Sequence, residues 1–169
     1  MKLKKVTKNE FDSIYCEMQK NFIPEEIRDY SEAQKVMQNE CYSLYHILCD
    51  DTRVGFISVW ELPEFAFVEH FVIYEGYRNK GLGERTLAIL KNKFDKILLE
   101  AEPPEDEIKT RRISFYKRCA FHENPHDYVQ PPYRKGDFGT RLILLSYPEI
   151  LSDFESAKQQ IYKNVYKIY

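Results

Sequence analysis

Hydrophobic and polar positions follow two periods along this chain and switch between them several times. Phe11, Ile14, Tyr15 and Met18 recur at helical spacing, so Lys8 to Asn21 reads as an amphipathic helix that Pro24 interrupts. Leu3 to Val6 before it reads as a short strand, and Glu32 to Glu40 after it as a short helix. Tyr42 to Cys49 and Arg53 to Trp60 read as strands joined at Asp50-Asp51, a hairpin-like turn. Ala66 to Tyr74 is apolar on both faces, the pattern of a strand covered on both sides. A helix from Gly81 to Phe94 follows, then a strand from Lys96 to Glu100, a helix from Lys109 to Arg118 and a strand from Thr140 to Tyr147. Residues 122–139 carry Pro125, Pro131, Pro132, Gly136 and Gly139 and read mostly as loop. The last helix carries an apolar stripe of Phe154, Ala157, Ile161, Val165 and Ile168. A row of Tyr162, Tyr166 and Tyr169 lies beside it, suited to core packing or to a contact with a second copy.

Three Ser/Thr-x-x-Glu/Gln patterns, at Thr7–Glu10, Ser31–Gln34 and Ser152–Glu155, have the form of capping boxes, which satisfy free N–H groups of a first helical turn. Strand, helix, strand from Ala66 to Glu100 is a βαβ-like unit, whereas the earlier strands pair by a hairpin. That combination predicts an α/β fold with a mixed sheet and helices on both faces.

Composition narrows the function. The chain has 169 residues, near the ~100–200 of one domain, so residues 1–169 are expected to form a single domain. Net charge is −2, without the basic footprint of a nucleic-acid binder. The longest run free of acids, Lys and Arg, Cys41 to Cys49, is far shorter than the ~18 residues of a membrane span. Lys2, Lys4, Lys5 and Lys8 have no apolar stretch behind them, so no secretory signal is expected. Cys16, Cys41, Cys49 and Cys119 form no Cys-x-x-Cys pair, which fits reduced thiols in a cytoplasmic protein. His122 and His126 are four apart, but Pro125 between them argues against a helical metal pair, and no metal is expected.

The most informative segment is Tyr77-Arg78-Asn79-Lys80-Gly81-Leu82-Gly83-Glu84-Arg85, between an apolar strand and an amphipathic helix. Glycines let the backbone approach a ligand closely. The unpaired N–H groups and dipole of a helix start attract anions, and Arg78, Lys80 and Arg85 add cations, which suits a pyrophosphate. The segment lacks Gly-x-x-x-x-Gly-Lys-Ser/Thr, and where a dinucleotide fingerprint needs its third glycine the chain has Thr86 or its neighbours.

Phe71 to Gly83 resembles the acetyl-CoA signature of the GNAT N-acetyltransferase family: an apolar strand, a short turn, then Arg/Gln-x-x-Gly-x-Gly/Ala opening a helix. Ser114-Phe115-Tyr116-Lys117-Arg118-Cys119-Ala120-Phe121 resembles a second segment of that family, Phe-Tyr-x-x-x-Gly-Phe, with Ala120 where the family has Gly. The resemblance implies a central mixed, mostly antiparallel sheet and acetyl-CoA as co-substrate. It implies that the pyrophosphate sits on Arg78, Asn79, Lys80, Gly81, Leu82 and Gly83, with Glu84 and Arg85 at the edge. The pantetheine arm would pair with Phe71, Val72 and Ile73, the Val72 amide serving as oxyanion donor. Arg111, Arg112 or Ser114 would take the cofactor contact that an Asn supplies in the family.

Glu69 interrupts Phe65, Phe67, Phe71 and Ile73. An acid in apolar surroundings has a raised pKa and suits a general base; the alternative is a carboxylate paired structurally with an arginine. The matching family position strengthens the first reading. Tyr116 matches the family's tyrosine that protonates the leaving thiolate. His70 is expected on the opposite face from Glu69. On the acceptor side, Asn21 to Arg28 resembles the Phe-x-Pro-x-Glu segment of some small-amine members. Phe22, Glu26 and Tyr30 are therefore expected to bind substrate, with Tyr133 from the stiff Tyr128–Tyr133 run. Glu100, Glu102, Glu105, Asp106 and Glu107 form an acidic run that either attracts a cationic amine or is a solvated loop. The resulting expectation is direct transfer of acetyl to a small primary amine by a monomer or homodimer. A protein amino group as acceptor, or a non-catalytic acetyl-CoA-binding module, are the alternatives.

Overall fold

The computed structural model describes residues 1–167, so Ile168 of the apolar stripe and Tyr169 of the tyrosine row lie outside the described residues. The sheet contains β1 (Lys2–Lys5), β2 (Tyr42–Cys49), β3 (Thr52–Glu61), β4 (Ala66–Ile73), β5 (Ile97–Ala101), β6 (His122–Glu123), β7 (Tyr128–Gln130) and β8 (Thr140–Tyr147). Its order is β1-β2-β3-β4-β5-β8, with β6 and β7 both pairing with β8. Among the described residues only β4 and β5 run parallel; the other pairs are antiparallel. The hairpin at Asp50-Asp51 closes with both residues at positive φ, a conformation that short polar side chains tolerate.

Alternation along the strands sends side chains to two cores. On one face Leu44, Phe56, Trp60, Phe67, Leu98 and Leu144 pack against α1 (Phe11–Asn21), α2 (Tyr30–Val36) and α5 (Phe154–Ile161). On the other, Ile57, Val59, Val68, Leu99 and Leu145 pack against α3 (Leu82–Lys93) and α4 (Glu107–Arg118). The mixed α/β sheet with helices on both faces is therefore as the periodicity predicts. A π-helical turn, Tyr162–Tyr166, ends the described chain, with Val165 and Tyr166 buried in the first core.

Helix starts differ in detail from the sequence expectation. The Thr7–Glu10 box forms, over a short 3-10 turn that precedes α1. Ser31 and Ser152 do not cap: α2 begins from Asp29, and α5 from Asp153, whose carboxylate accepts the Ser156 N–H at 2.9 Å. At α5 the Asp153 carboxylate reaches the N3 amide and its charge complements the positive end of the helix dipole, so it displaces Ser152; at α2 the Asp29 carboxylate makes no cap bond and accepts from Arg134 instead. The 122–139 stretch also holds β6 and β7.

Candidate active site

The site originates in a mismatch between β4 and β5. Their parallel ladder covers only Ala66–Ile97, Phe67–Leu98 and Val68–Leu99. Beyond Val68 the strands splay, and β5 continues along β8 instead. At the same place the register between β3 and β4 slips from Val59–Val68 to Ser58–His70, so Glu69 is an extra, bulged residue. The splay opens a cleft of about 1540 Å³, lined by residues 68–73 of β4, the turn before α3, Leu99 to Glu102, one face of α4 and the loop after α1.

The lower end of the cleft is a main-chain site. Asn79 and Gly81 both take the left-handed conformation, at φ 60° and 69°, which turns the chain into α3. Glycine adopts that conformation freely. At Gly83 a Cβ would come within 3.0 Å of the Phe115 ring, so a bare backbone lets α3 lie close to α4. The first amide of this stretch with an internal acceptor is Arg85, bonded to the Gly81 carbonyl at 3.1 Å. The N–H groups of residues 79 to 84 have no acceptor among the described residues. They are concentrated at the positive end of the α3 dipole.

Arg78 lines this end and donates from Nε to the Ile73 carbonyl at 2.9 Å, tying the turn to the open edge of β4. Asn79, Gly81, Leu82, Gly83, Glu84, Arg111 and Ser114 also line the cleft. Lys80 and Arg85 do not: Lys80 reaches back to the Gly76 carbonyl at 2.9 Å, and Arg85 is exposed on α3.

The open edge of β4 presents alternate amides. Tyr74 N–H bonds to the Val54 carbonyl at 2.9 Å and His70 N–H to Ser58 Oγ at 3.0 Å, both on the β3 side. Alternation then puts the Val72 N–H on the β3 side too, and turns those of Phe71 and Ile73 toward the cleft. The expectation that the Val72 amide is the free donor is corrected accordingly. Val72 lines the cleft, but Phe71 and Ile73 hold the donors.

Tyr116, on α4, lines the cleft and is buried, and its hydroxyl makes no hydrogen bond to another described residue. Burial raises its pKa to about 12, so it carries its proton at neutral pH. Ala120 takes φ 59° just past α4, with Ala120 N–H on the Lys117 carbonyl at 2.9 Å and Phe121 N–H on that of Tyr116 at 3.0 Å. This is the six-residue closure that favours Gly, and Ala there costs about 1 kcal/mol.

The upper end is built of side chains. Glu69 is partly exposed as a residue, yet its side chain has 0% exposure, so the bulge shows main chain to the cleft and turns the carboxylate inward. There it accepts from Arg28, from Trp60 Nε1 at 3.0 Å and from the Tyr133 hydroxyl at 2.9 Å. Burial opposes its ionisation, but the Arg28 charge and these donors prevail and hold its pKa below the usual carboxylate value. The expectation of a raised pKa for Glu69 is thereby reversed, and the arginine-paired alternative describes its environment. Arg28 also donates to the Val165 carbonyl at 2.8 Å and stacks under the Tyr133 ring at 4.5 Å.

His70 is buried between Ser58 Oγ at 3.3 Å and the Glu26 carbonyl at 3.0 Å, and burial lowers its pKa. Phe22, Glu26 and Tyr133 line the cleft as expected of the acceptor side. Burial raises the pKa of Glu26, with nearby Glu102 adding to it. Tyr30 is outside the lining; it packs on Phe11 and Tyr15 and donates to Asp12 at 2.6 Å. Most of the acidic run is internally paired. Glu102 meets Arg112 and Lys109, Glu105 meets Lys109, Glu107 meets Arg111, and Asp106 caps α4.

Glu100 is the exception, and the residue that sequence reading missed as a separate group. It belongs to β5 and lines the cleft. Its carboxylate accepts from the hydroxyls of Tyr128 and Tyr166, the latter at 2.7 Å. Burial raises its pKa to about 7 against those two donors. The available signal was its position: an acid that directly continues the apolar run Ile97-Leu98-Leu99.

The described residues contain no cluster of metal-ligating side chains and no helix long and apolar enough to cross a membrane. The family model described as Acetyltransferase (GNAT) family matches residues 9–121. The chain is 29% identical over 157 residues to "Putative acetyltransferase YjbC" of Bacillus subtilis (strain 168), covering 90% of this chain and 80% of that one. The solved structure of a "Putative acetyltransferase from GNAT family" of Bacteroides thetaiotaomicron is 31% identical, with a TM-score of 0.90 and full coverage of both chains. Naa50 of Arabidopsis thaliana, solved with the bisubstrate analogue CoA-Ac-MVNAL, shares the fold at 18% identity, with a TM-score of 0.59 over 86% of this chain and 96% of its own.

Proposed function

The chain belongs to the GNAT acetyltransferase family, whose chemistry is acyl transfer from acetyl-CoA, and from that premise we propose that it N-acetylates a primary amine, a small molecule by preference, by direct transfer within a ternary complex. The observation that carries this reading is the splay between β4 and β5. It joins a row of unsatisfied amides at residues 79 to 84 to a second, acid-lined compartment. A diphosphate fits the amides, and the pantetheine arm fits the open edge of β4 as an added strand. The Phe71 N–H then meets the thioester carbonyl and stabilises the oxyanion as the amine adds. Tyr116 gives its proton to the departing thiolate.

Glu26 and Glu100 favour a cationic acceptor, and Phe22 and Tyr133 supply an apolar wall beside it. We read residues 1–169 as one catalytic domain working in the cytoplasm with acetyl-CoA and no metal.

A screen of primary amines with acetyl-CoA, reporting free CoA thiol, tests the reading. Thiol release with acetylated amine recovered by mass supports it. Acetyl-CoA binding without turnover of any amine would favour a cofactor-sensing module instead. Tight binding of acetyl-CoA should raise the melting temperature by mass action.

A further inference from the structure

Two carboxylates flank the upper cleft, one on β4 and one on β5. Glu69 is turned inward and fully occupied by Arg28, Trp60 and Tyr133, with 0% of its side chain exposed. It has no surface from which to meet an acceptor. Glu100 stands across the splay on the β5 wall and lines the cleft. Its two oxygens are held by different tyrosines: Tyr128 on β7, and Tyr166 on the π-helical turn that follows α5. That turn lies beyond the residues matched by the family model, and it also delivers the Val165 carbonyl to Arg28.

We propose that Glu100 takes the proton from the acceptor amine, and that Tyr166 of the C-terminal turn positions it for that task. The inference rests on the acetyl-transfer reading above. The ammonium gives one proton to the Glu100 carboxylate, which later passes it to solvent. The freed nitrogen lone pair forms the N–C bond at the thioester carbonyl. As the C–S bond breaks, the sulfur takes the Tyr116 proton, and the second nitrogen proton restores Tyr116 by way of solvent. One acetyl group moves, and one proton is released per turnover.

The groups facing Glu100 come from several elements. Tyr128 and Tyr166 donate to it, and Tyr162 and Tyr133 stand nearby. Glu69 on β4 repels its charge and Arg28 attracts it. Burial outweighs the donors, leaving Glu100 with a pKa of about 7, where a base exchanges protons most effectively at neutral pH.

The test compares wild type, Glu100→Gln and Tyr166→Phe in kcat/KM against pH, using the amine that the screen returns. A glutamate 13C-carboxyl NMR titration of the enzyme without acceptor gives a second readout, Glu100→Gln assigning the resonance. Wild type should show an acidic limb near pH 7. Glu100→Gln should lose that limb and about a hundredfold or more in kcat/KM, while its acetyl-CoA affinity stays within threefold, on the order of measurement scatter. Tyr166→Phe removes a donor to the charged form, so both the limb and the carboxyl titration should move up by roughly one pH unit. A merely structural tyrosine would lower activity at all pH values alike.

The proposal is overturned if Glu100→Gln keeps the limb, if the carboxyl titrates in the ordinary glutamate range, or if Tyr166→Phe leaves both midpoints unmoved. Should Glu100→Gln fail to fold, the Tyr166→Phe shift decides. A wild type that binds no acetyl-CoA and releases no thiol overturns the acetyl-transfer reading itself, a distinct result.

Discussion

The two ends of the cleft are built on different principles. The lower end is main chain: the unpaired amides of residues 79 to 84 in the turn and the first turn of α3, and the outward amides of Phe71 and Ile73 on β4. The upper end is side chain: Glu69, Arg28, Trp60, Tyr133, Glu100, Tyr128 and Tyr166, spread over most of the chain. A ligand shared by many relatives can be held by backbone, whatever the side chains are. Recognition of a particular acceptor needs side chains, and those come from wherever the fold brings them.

The largest expected contrast comes from Arg28→Met. It leaves the Glu69 carboxylate buried without its partner and should cost about 3–5 kcal/mol in denaturant unfolding. Arg28→Met combined with Glu69→Gln should recover much of that loss. A single variant as stable as wild type would show that the upper end does not depend on this pair.

The next contrast is in pH. The pKa of Glu100 in the folded protein, about 7, lies above its ordinary value of 4.5. Between those values the folded state binds the extra proton and the unfolded state does not, so this group makes stability fall as pH rises from 4.5 to 7. Glu69 has the opposite sign. Its lowered pKa gives stability that is present above the ordinary carboxylate value and lost as pH falls through the folded one. Unfolding free energies of Glu100→Gln and wild type should therefore diverge across that window by a few kcal/mol, in favour of the variant at the high end. Parallel curves would contradict this account of Glu100.

A smaller effect is expected at the lower end. Gly83→Leu puts a side chain against Phe115 at the amide row. It should weaken acetyl-CoA binding on the order of tenfold, read by calorimetry, and leave the pH dependence of stability unchanged.

This division also explains what was readable in the sequence. The turn was legible because its chemistry is contiguous: an apolar strand, cations, two glycines and an amphipathic helix within twenty residues or so. The paired helices and strands were legible for the same reason. Glu69 was noticed as an acid among apolar residues, but its direction was not readable, because one bulged residue reverses which face a side chain takes. The Val72 amide was misplaced by the same ladder parity. Glu100 was hidden in an acidic run whose other members are paired at the surface, and its partners are 28 and 66 residues away. Tyr30 follows a short local resemblance, but α2 starts at Tyr30 itself and carries the ring onto Phe11 and Tyr15.

The central claim is that the amide row between β4 and α3 holds the diphosphate of acetyl-CoA. Titrating 15N-labelled protein with CoA while following amide resonances tests it most directly. The account predicts that Gly81, Leu82, Gly83 and Glu84 show the largest downfield shifts, followed by Phe71 and Ile73. Saturable binding of CoA that leaves those amides unmoved and shifts another surface would contradict it.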